Sequence, residues 1–123
     1  MYHCLEHMLF KGTETRDAKS IAKLIDSIGG NVNAFTGKES MCYYARVLDE
    51  FAPTAVDLLA DLVLRPSFLE DELERERKVI LEEIKMVEDT PDELVHEQFV
   101  EDLWAGHPLA RPILERRPVR KSC

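Results

Sequence analysis

The sequence predicts an α+β fold, with helices packed on one face of a mainly antiparallel sheet that is incomplete within this chain. Three observations carry this expectation. Segments with a helical hydrophobic period and recognisable end signals cover most of the 123 residues. Two strand-like runs flank Gly37-Lys38, as in a hairpin. The second run, Met41-Cys42-Tyr43-Tyr44-Ala45-Arg46-Val47-Leu48, is almost continuously apolar, the pattern of a strand buried on both faces within a larger sheet. A two-stranded sheet is marginal alone, so further strands are expected beside it.

Each element follows in order. Residues 2–10 read as a helix stopped near Lys11-Gly12. Residues 17–28 read as a second, capped by Asp17, striped by Ala18, Ile21, Ala22, Ile25 and Ile28, and ended by Gly29-Gly30. The strands are expected at Asn31–Thr36 and Ser40–Leu48. Residues 52–64 form an almost wholly apolar helix ending at Arg65-Pro66. Ser67-Phe68-Leu69-Glu70 has the spacing of a capping box and opens a long charged helix to about Asp89. Thr90-Pro91-Asp92-Glu93 repeats the device, with proline at the first helical position. The last helix runs to Trp104 and stops at Gly106, with Val95, Phe99 and Trp104 sharing a face expected to be core. No repeat or interdomain linker is visible. One partial domain is expected over residues 1–114, with a disordered basic tail over 115–123.

Composition narrows the function classes. Apolar residues make up 45% and charged residues 33%, an ordinary soluble balance. The net charge of −8 argues against nucleic acid as a partner. No apolar run approaches the length of a membrane span, and the first residues are too polar for a signal peptide. A membrane partner is therefore not expected, and a cytoplasmic location is expected rather than secretion. From Arg111 onward there are five basic residues and one acid, read as a frayed terminus. Cys4, Cys42 and Cys123 lack metal spacing, so reduced thiols are expected. His96 and His107 have no partner at ligand spacing and read as surface residues. Arg46 inside an apolar strand either pairs with a buried acid or lies at an edge.

The chemistry-bearing feature is His3-Cys4-Leu5-Glu6-His7. Histidines four apart stand on one helix face, one turn from each other, so both imidazoles can reach a single Zn²⁺. The order H-x-x-E-H inverts the H-E-x-x-H arrangement and keeps a glutamate beside the metal pair, the pattern of a metallopeptidase. Cys4 points about 100° away from His3 and reads as a small apolar residue. A catalytic zinc site needs a third protein ligand. The helix over 70–89 offers Glu76 and Glu83, seven apart on one face, although spacing alone favours a solvated helix surface for any one such acid. His3 lies in the first turn, where helices fray, so a preceding segment is expected.

The chain resembles the pitrilysin/insulinase family of inverted zincins, most nearly its processing-peptidase branch. The resemblance rests on segments in fixed order: His3 to Thr13, Gly29 to Thr36, Tyr43-Tyr44-Ala45, Glu74 to Glu83, Glu88-Asp89-Thr90-Pro91, His107-Pro108-Leu109 and Arg111-Pro112-Ile113. It implies part of the N-terminal catalytic domain of a zinc endopeptidase acting on extended peptides or unfolded polypeptides. It implies one Zn²⁺ held by His3, His7 and Glu83, with Glu6 as general base and Glu76 supporting catalysis behind the ligands. Asn33 and Ala34 would hold the substrate backbone on an edge strand, Asn33 being otherwise a turn-flanking residue. A second homologous domain or subunit is the expected partner. Cys4 departs from the aromatic residue common at that place. Two other readings stand beside this one: a non-catalytic domain that binds peptides or a subunit, and a truncated fragment inactive by itself.

Overall fold

A computed structural model describes residues 2–114; the expectation for the tail at 115–123 lies outside them. The order is α1 (Tyr2–Leu9), α2 (Ala18–Ser27), β1 (Asn31–Thr36), β2 (Met41–Arg46), a 3₁₀ turn (Asp49–Phe51), α3 (Ala52–Leu64), α4 (Glu70–Glu88), α5 (Pro91–Leu103) and a second 3₁₀ turn (Pro108–Ala110). The α+β class is as expected, with a two-stranded antiparallel sheet. None of the described helices is long and apolar enough to cross a membrane.

Local chemistry explains most boundaries. The Asp17 carboxylate accepts the Ser20 amide at 2.7 Å and starts α2. Gly29 ends it with φ 61°, in the left-handed region open to glycine. Gly30 backs onto β2: a Cβ there would lie 2.6 Å from Val47 Cγ1 and 3.0 Å from the Arg46 carbonyl. The strands pair in register, Asn33 opposite Tyr44 and Ala34 opposite Tyr43, and Gly37 N–H closes the turn on the Ser40 carbonyl at 2.7 Å.

Two apolar clusters hold the fold. Ile21 of α2 with Leu58 and Leu62 of α3 form one, against which Phe10, Leu24, Ile25 and Val32 pack. Cys4 and Met8 of α1 with Ile80 of α4 form the other, joined by Leu73, Ile84 and Leu114. In β1 the side chains of Val32, Ala34 and Thr36 are half-buried while Asn31, Asn33 and Phe35 are exposed. One face of the hairpin is thus covered by helices.

Several expectations need correction. The residue preceding α4 is Leu69, with no side-chain cap, so Ser67 closes no capping box. Ser67 N–H instead donates to the Gly12 carbonyl at 3.1 Å, and Thr13 pairs with Pro66 as an isolated bridge. That tertiary pairing, followed by Phe68 at φ 41°, keeps the segment out of the helix until Glu70. Thr90 does precede α5, but its hydroxyl donates backward to the Met86 carbonyl at 2.8 Å. Val95, Phe99 and Trp104 are 67%, 61% and 45% exposed, so the apolar face of α5 is not core among the described residues. Residues 41–45 of β2 are half-buried rather than enclosed, and Arg46 is exposed at the strand end, 5.8 Å from the Tyr44 ring. Cys42 is a free, half-buried thiol.

Candidate metal centre

Helix α1 sets His3 and His7 one turn apart, their rings 4.6 Å between centroids. Burial of Cys4 and Met8 against Ile80 packs the face of α1 next to the histidines on α4. That packing carries Glu83 to the histidines from 76 positions beyond His7 in the sequence. His3 Nε2 lies 2.8 Å from Glu83 Oε2, 3.1 Å from His7 Nε2, and His7 Nε2 lies 3.6 Å from the same Glu83 oxygen. Among the described residues, His3, His7 and Glu83 are the group of His, Cys, Asp and Glu whose donor atoms converge, all within 4.8 Å of one another.

The neighbour of His7 fixes its tautomer. Glu76 Oε2 lies 2.8 Å from His7 Nδ1; a carboxylate can only accept, so Nδ1 carries the proton and Nε2 turns a lone pair to the cluster. Glu76 is 5% exposed, and its second oxygen takes Lys11 Nζ at 2.6 Å. Burial pushes the Glu76 carboxyl up, but hydrogen bonds from Lys11 and His7 outweigh it and hold the group below its ordinary value. His3 Nε2, His7 Nε2 and Glu83 Oε2 therefore face one point, and the contact of His3 Nε2 with the Glu83 carboxylate is a hydrogen bond whose ring proton a metal ion would displace. Tetrahedral zinc with bonds of about 2.0–2.1 Å sets its ligands about 3.3 Å apart, and separations of 2.8, 3.1 and 3.6 Å bracket that value. The donor set fits a zinc ion.

Glu6 stands beside this cluster. One of its oxygens lies 4.0 Å from His3 Nδ1 and accepts the Thr36 hydroxyl from the end of β1. Burial, and then the charge of Glu6, push the Tyr43 hydroxyl up to about 12, so Tyr43 stays neutral beside the carboxylate. Asn33 is exposed, with its Oδ1 on the Ala34 amide at 2.8 Å; β1 has β2 on one side. Asn33 and Ala34 thus lie on the strand that ends at Thr36, outside the histidine cluster. His107 accepts the Leu109 amide at 3.2 Å, its ring tilted against Trp104 with centroids 5.7 Å apart, and His96 is exposed, so neither joins the site.

Sequence reasoning missed Lys11 and Thr36. Lys11 lies four residues past His7, and that spacing was the available signal. Thr36 had none, because its contact with Glu6 spans 30 residues. Also unread was Asp61, wholly buried in the apolar helix α3. Its Oδ2 accepts Thr13 Oγ1 at 2.6 Å, Thr15 Oγ1 at 2.8 Å and Arg16 Nη1 at 2.7 Å. This ties the loop after α1 to α3.

An α+β frame that presents a helical histidine pair to a glutamate on a second helix has the layout of a zinc-peptidase domain. Residues 1–117 match the model of the insulinase family, peptidase family M16, and the chain belongs to that family. It is 54% identical over 112 residues to a Bacillus subtilis protein named "Uncharacterized zinc protease YmxG", covering 91% of this chain and 27% of that protein. It is 50% identical to a similarly named zinc protease of Mycobacterium leprae, covering 91% and 25%. The chain therefore spans about a quarter of the length of these relatives. Among solved structures it resembles pitrilysin (30% identity, TM-score 0.76, covering 92% of this chain and 12% of that one). It also resembles a protease from Helicobacter pylori (26%, 0.81, covering 88% and 26%). A likeness to an inactive M16 peptidase domain from Pseudomonas fluorescens (21%, 0.85, covering 98% and 30%) concerns the fold alone.

Proposed function

We propose that residues 1–114 are part of the catalytic domain of a zinc endopeptidase, completed in the whole protein by a second homologous domain or subunit. In this reading His3, His7 and Glu83 hold one Zn²⁺, Glu6 is the general base, and Glu76 positions His7. The observation that carries it is the convergence of the His3, His7 and Glu83 donor atoms within 4.8 Å, backed by the Glu76 carboxylate on His7 Nδ1. The names of the relatives support the choice of zinc.

When bound, zinc supplies a Lewis acid for the scissile carbonyl and a water whose pKa falls towards ~7. The chain's own residues do the rest. Glu76 keeps the proton on His7 Nδ1, and Lys11 keeps Glu76 ionised. Thr36 engages one Glu6 oxygen, which orients the carboxylate; the other takes a proton from the attacking water and returns it to the leaving amine. An extended peptide adds to the edge of β1 that has no strand partner among the described residues, through main-chain hydrogen bonds. Its carbonyl takes over the Ala34 amide that Asn33 Oδ1 now occupies.

The test is metal content. The purified chain, dialysed free of loose metal, is expected to hold one zinc, lost in both His7→Ala and Glu83→Gln. Zinc retained in Glu83→Gln, or absent from the wild type, would sink the ligand set. In a protein reconstituted with its remaining length, Glu6→Gln is expected to keep zinc and lose peptide cleavage.

A further inference from the structure

We infer that the cavity at the end of β1, lined by Thr36, is a substrate subsite selective for a peptide carboxylate, an inference that rests on the peptidase reading above. The cavity, about 330 Å³, is lined by Tyr2, Thr36, Gly37, Lys38, Arg111 and Ile113 among others. One of these walls touches the candidate centre, and another is its neighbour in the chain. Thr36 is the residue whose hydroxyl engages Glu6, and Tyr2 directly precedes His3. A peptide laid along β1 therefore reaches the cavity where that strand ends.

The chemistry of the walls sets the preference. In a chain of net charge −8, the lining holds, among the described residues, two cations, Lys38 and Arg111, and no acid. Neither cation has an ion-pair partner among the described residues. Lys38 Nζ donates to the Arg111 carbonyl at 2.7 Å, which staples the hairpin turn to the segment after α5. That bond uses one ammonium donor and leaves two. The Arg111 guanidinium keeps its planar fork, suited to a carboxylate. The volume is at the lower end for ligand pockets, enough for one acidic side chain. Tyr2 and Ile113 supply apolar walls for its methylenes. An aspartate or glutamate side chain is the favoured occupant, and a peptide's C-terminal carboxylate has the same chemistry.

The experiment reads binding on this chain, with no cleavage required. Octapeptides of neutral residues, blocked at both ends, carry one glutamate or one glutamine at each position in turn, and their affinities are measured by fluorescence anisotropy. At one position glutamate is expected to bind about three- to tenfold tighter than glutamine, the range between an exposed ion pair and a charged hydrogen bond. Arg111→Met removes the preference and Arg111→Lys keeps part of it, so misfolding is separated from lost charge. A free-acid peptide lacking glutamate tells whether a terminal carboxylate substitutes. Equal binding of glutamate and glutamine throughout, no binding of either, or a preference that survives Arg111→Met overturns the proposal. Zinc content of the same samples shows whether the metal-site reading fails with it.

Discussion

Two buried carboxylates, Asp61 and Glu76, solve the same physical problem in two regions and to different ends. Each is nearly inaccessible, at 0% and 5% exposure, and each would be costly to bury ionised without partners. Asp61 is answered by Thr13, Thr15 and Arg16 on one oxygen. All three lie in the loop between α1 and α2, so the network closes on itself and its effect is to fasten that loop to α3. Glu76 is answered by Lys11 and His7. His7 turns its other nitrogen to His3 and Glu83, so this network is open at one end. Burial and charge pairing alone do not mark a functional acid; what its partner faces next does.

Breaking the closed network should produce the largest effect. Asp61→Ala leaves Arg16 and two hydroxyls without their buried acceptor, and is expected to cost about 3–5 kcal/mol of stability, read as a lower urea midpoint. The acid limb of stability should respond too. Burial raises the Asp61 carboxyl, but the Thr13, Thr15 and Arg16 hydrogen bonds overcome this and hold it at about 2. The folded value lies below the unfolded one, near ~3.9. The stabilisation is therefore present above pH ~4 and is lost as the pH falls from there to about 2. Asp61→Asn should flatten that part of a stability–pH curve. An unchanged curve would mean that another carboxyl governs acid unfolding.

The open network predicts a separate readout. Glu76→Gln offers one carbonyl oxygen to two donors, Lys11 and His7. His7 is then free to move its proton to Nε2, where it blocks the lone pair that faces the cluster. Zinc affinity should fall about 10–100-fold, by about 1.4–2.8 kcal/mol, measured by competition with a chromogenic chelator. Asp61→Asn should leave the affinity of the folded fraction unchanged. If the two variants weaken zinc alike, the distinction between closed and open networks is wrong.

The two regions also differed in legibility. Element positions were readable because they depend on local chemistry: the Asp17 cap, the Gly29-Gly30 stop and Pro91 each act within a turn of their place. The histidine pair was readable for the same reason, since its geometry is set by four residues of helix. Glu83 was not separable from other α4 acids by spacing; its place followed from the family resemblance, and the α1–α4 packing brings it to the histidines. Long-range contacts left no local trace, so Thr36 on Glu6 and the Ser67 pairing with Gly12 went unread. Asp61 was the avoidable omission. Ala52–Leu64 carries two acids four apart, Asp57 and Asp61, and an acid buried in so apolar a helix requires a partner, for which the loop residues Thr13, Thr15 and Arg16 are the nearby polar cluster in the sequence. The α5 face misled in the other direction, because periodicity reports an apolar stripe and not what covers it.

The smallest effect should come from Arg65, and it tests how Asp61 is stabilised. Arg65 Nε approaches Asp61 Oδ1 at 3.3 Å from an exposed position one turn along α3. Oδ1 nevertheless has no hydrogen-bond partner among the described residues, so the contact is an ion pair without donor alignment. The network's strength then lies in the three donors on Oδ2, and Arg65 adds a screened, solvent-facing charge. Arg65→Ala is expected to cost less than about 1 kcal/mol and to lose that difference in high salt. A cost comparable with Asp61→Ala would show that Oδ1 depends on Arg65 after all. The loop would then be held from both sides of the carboxylate, and the closed network would extend to the C-terminal end of α3.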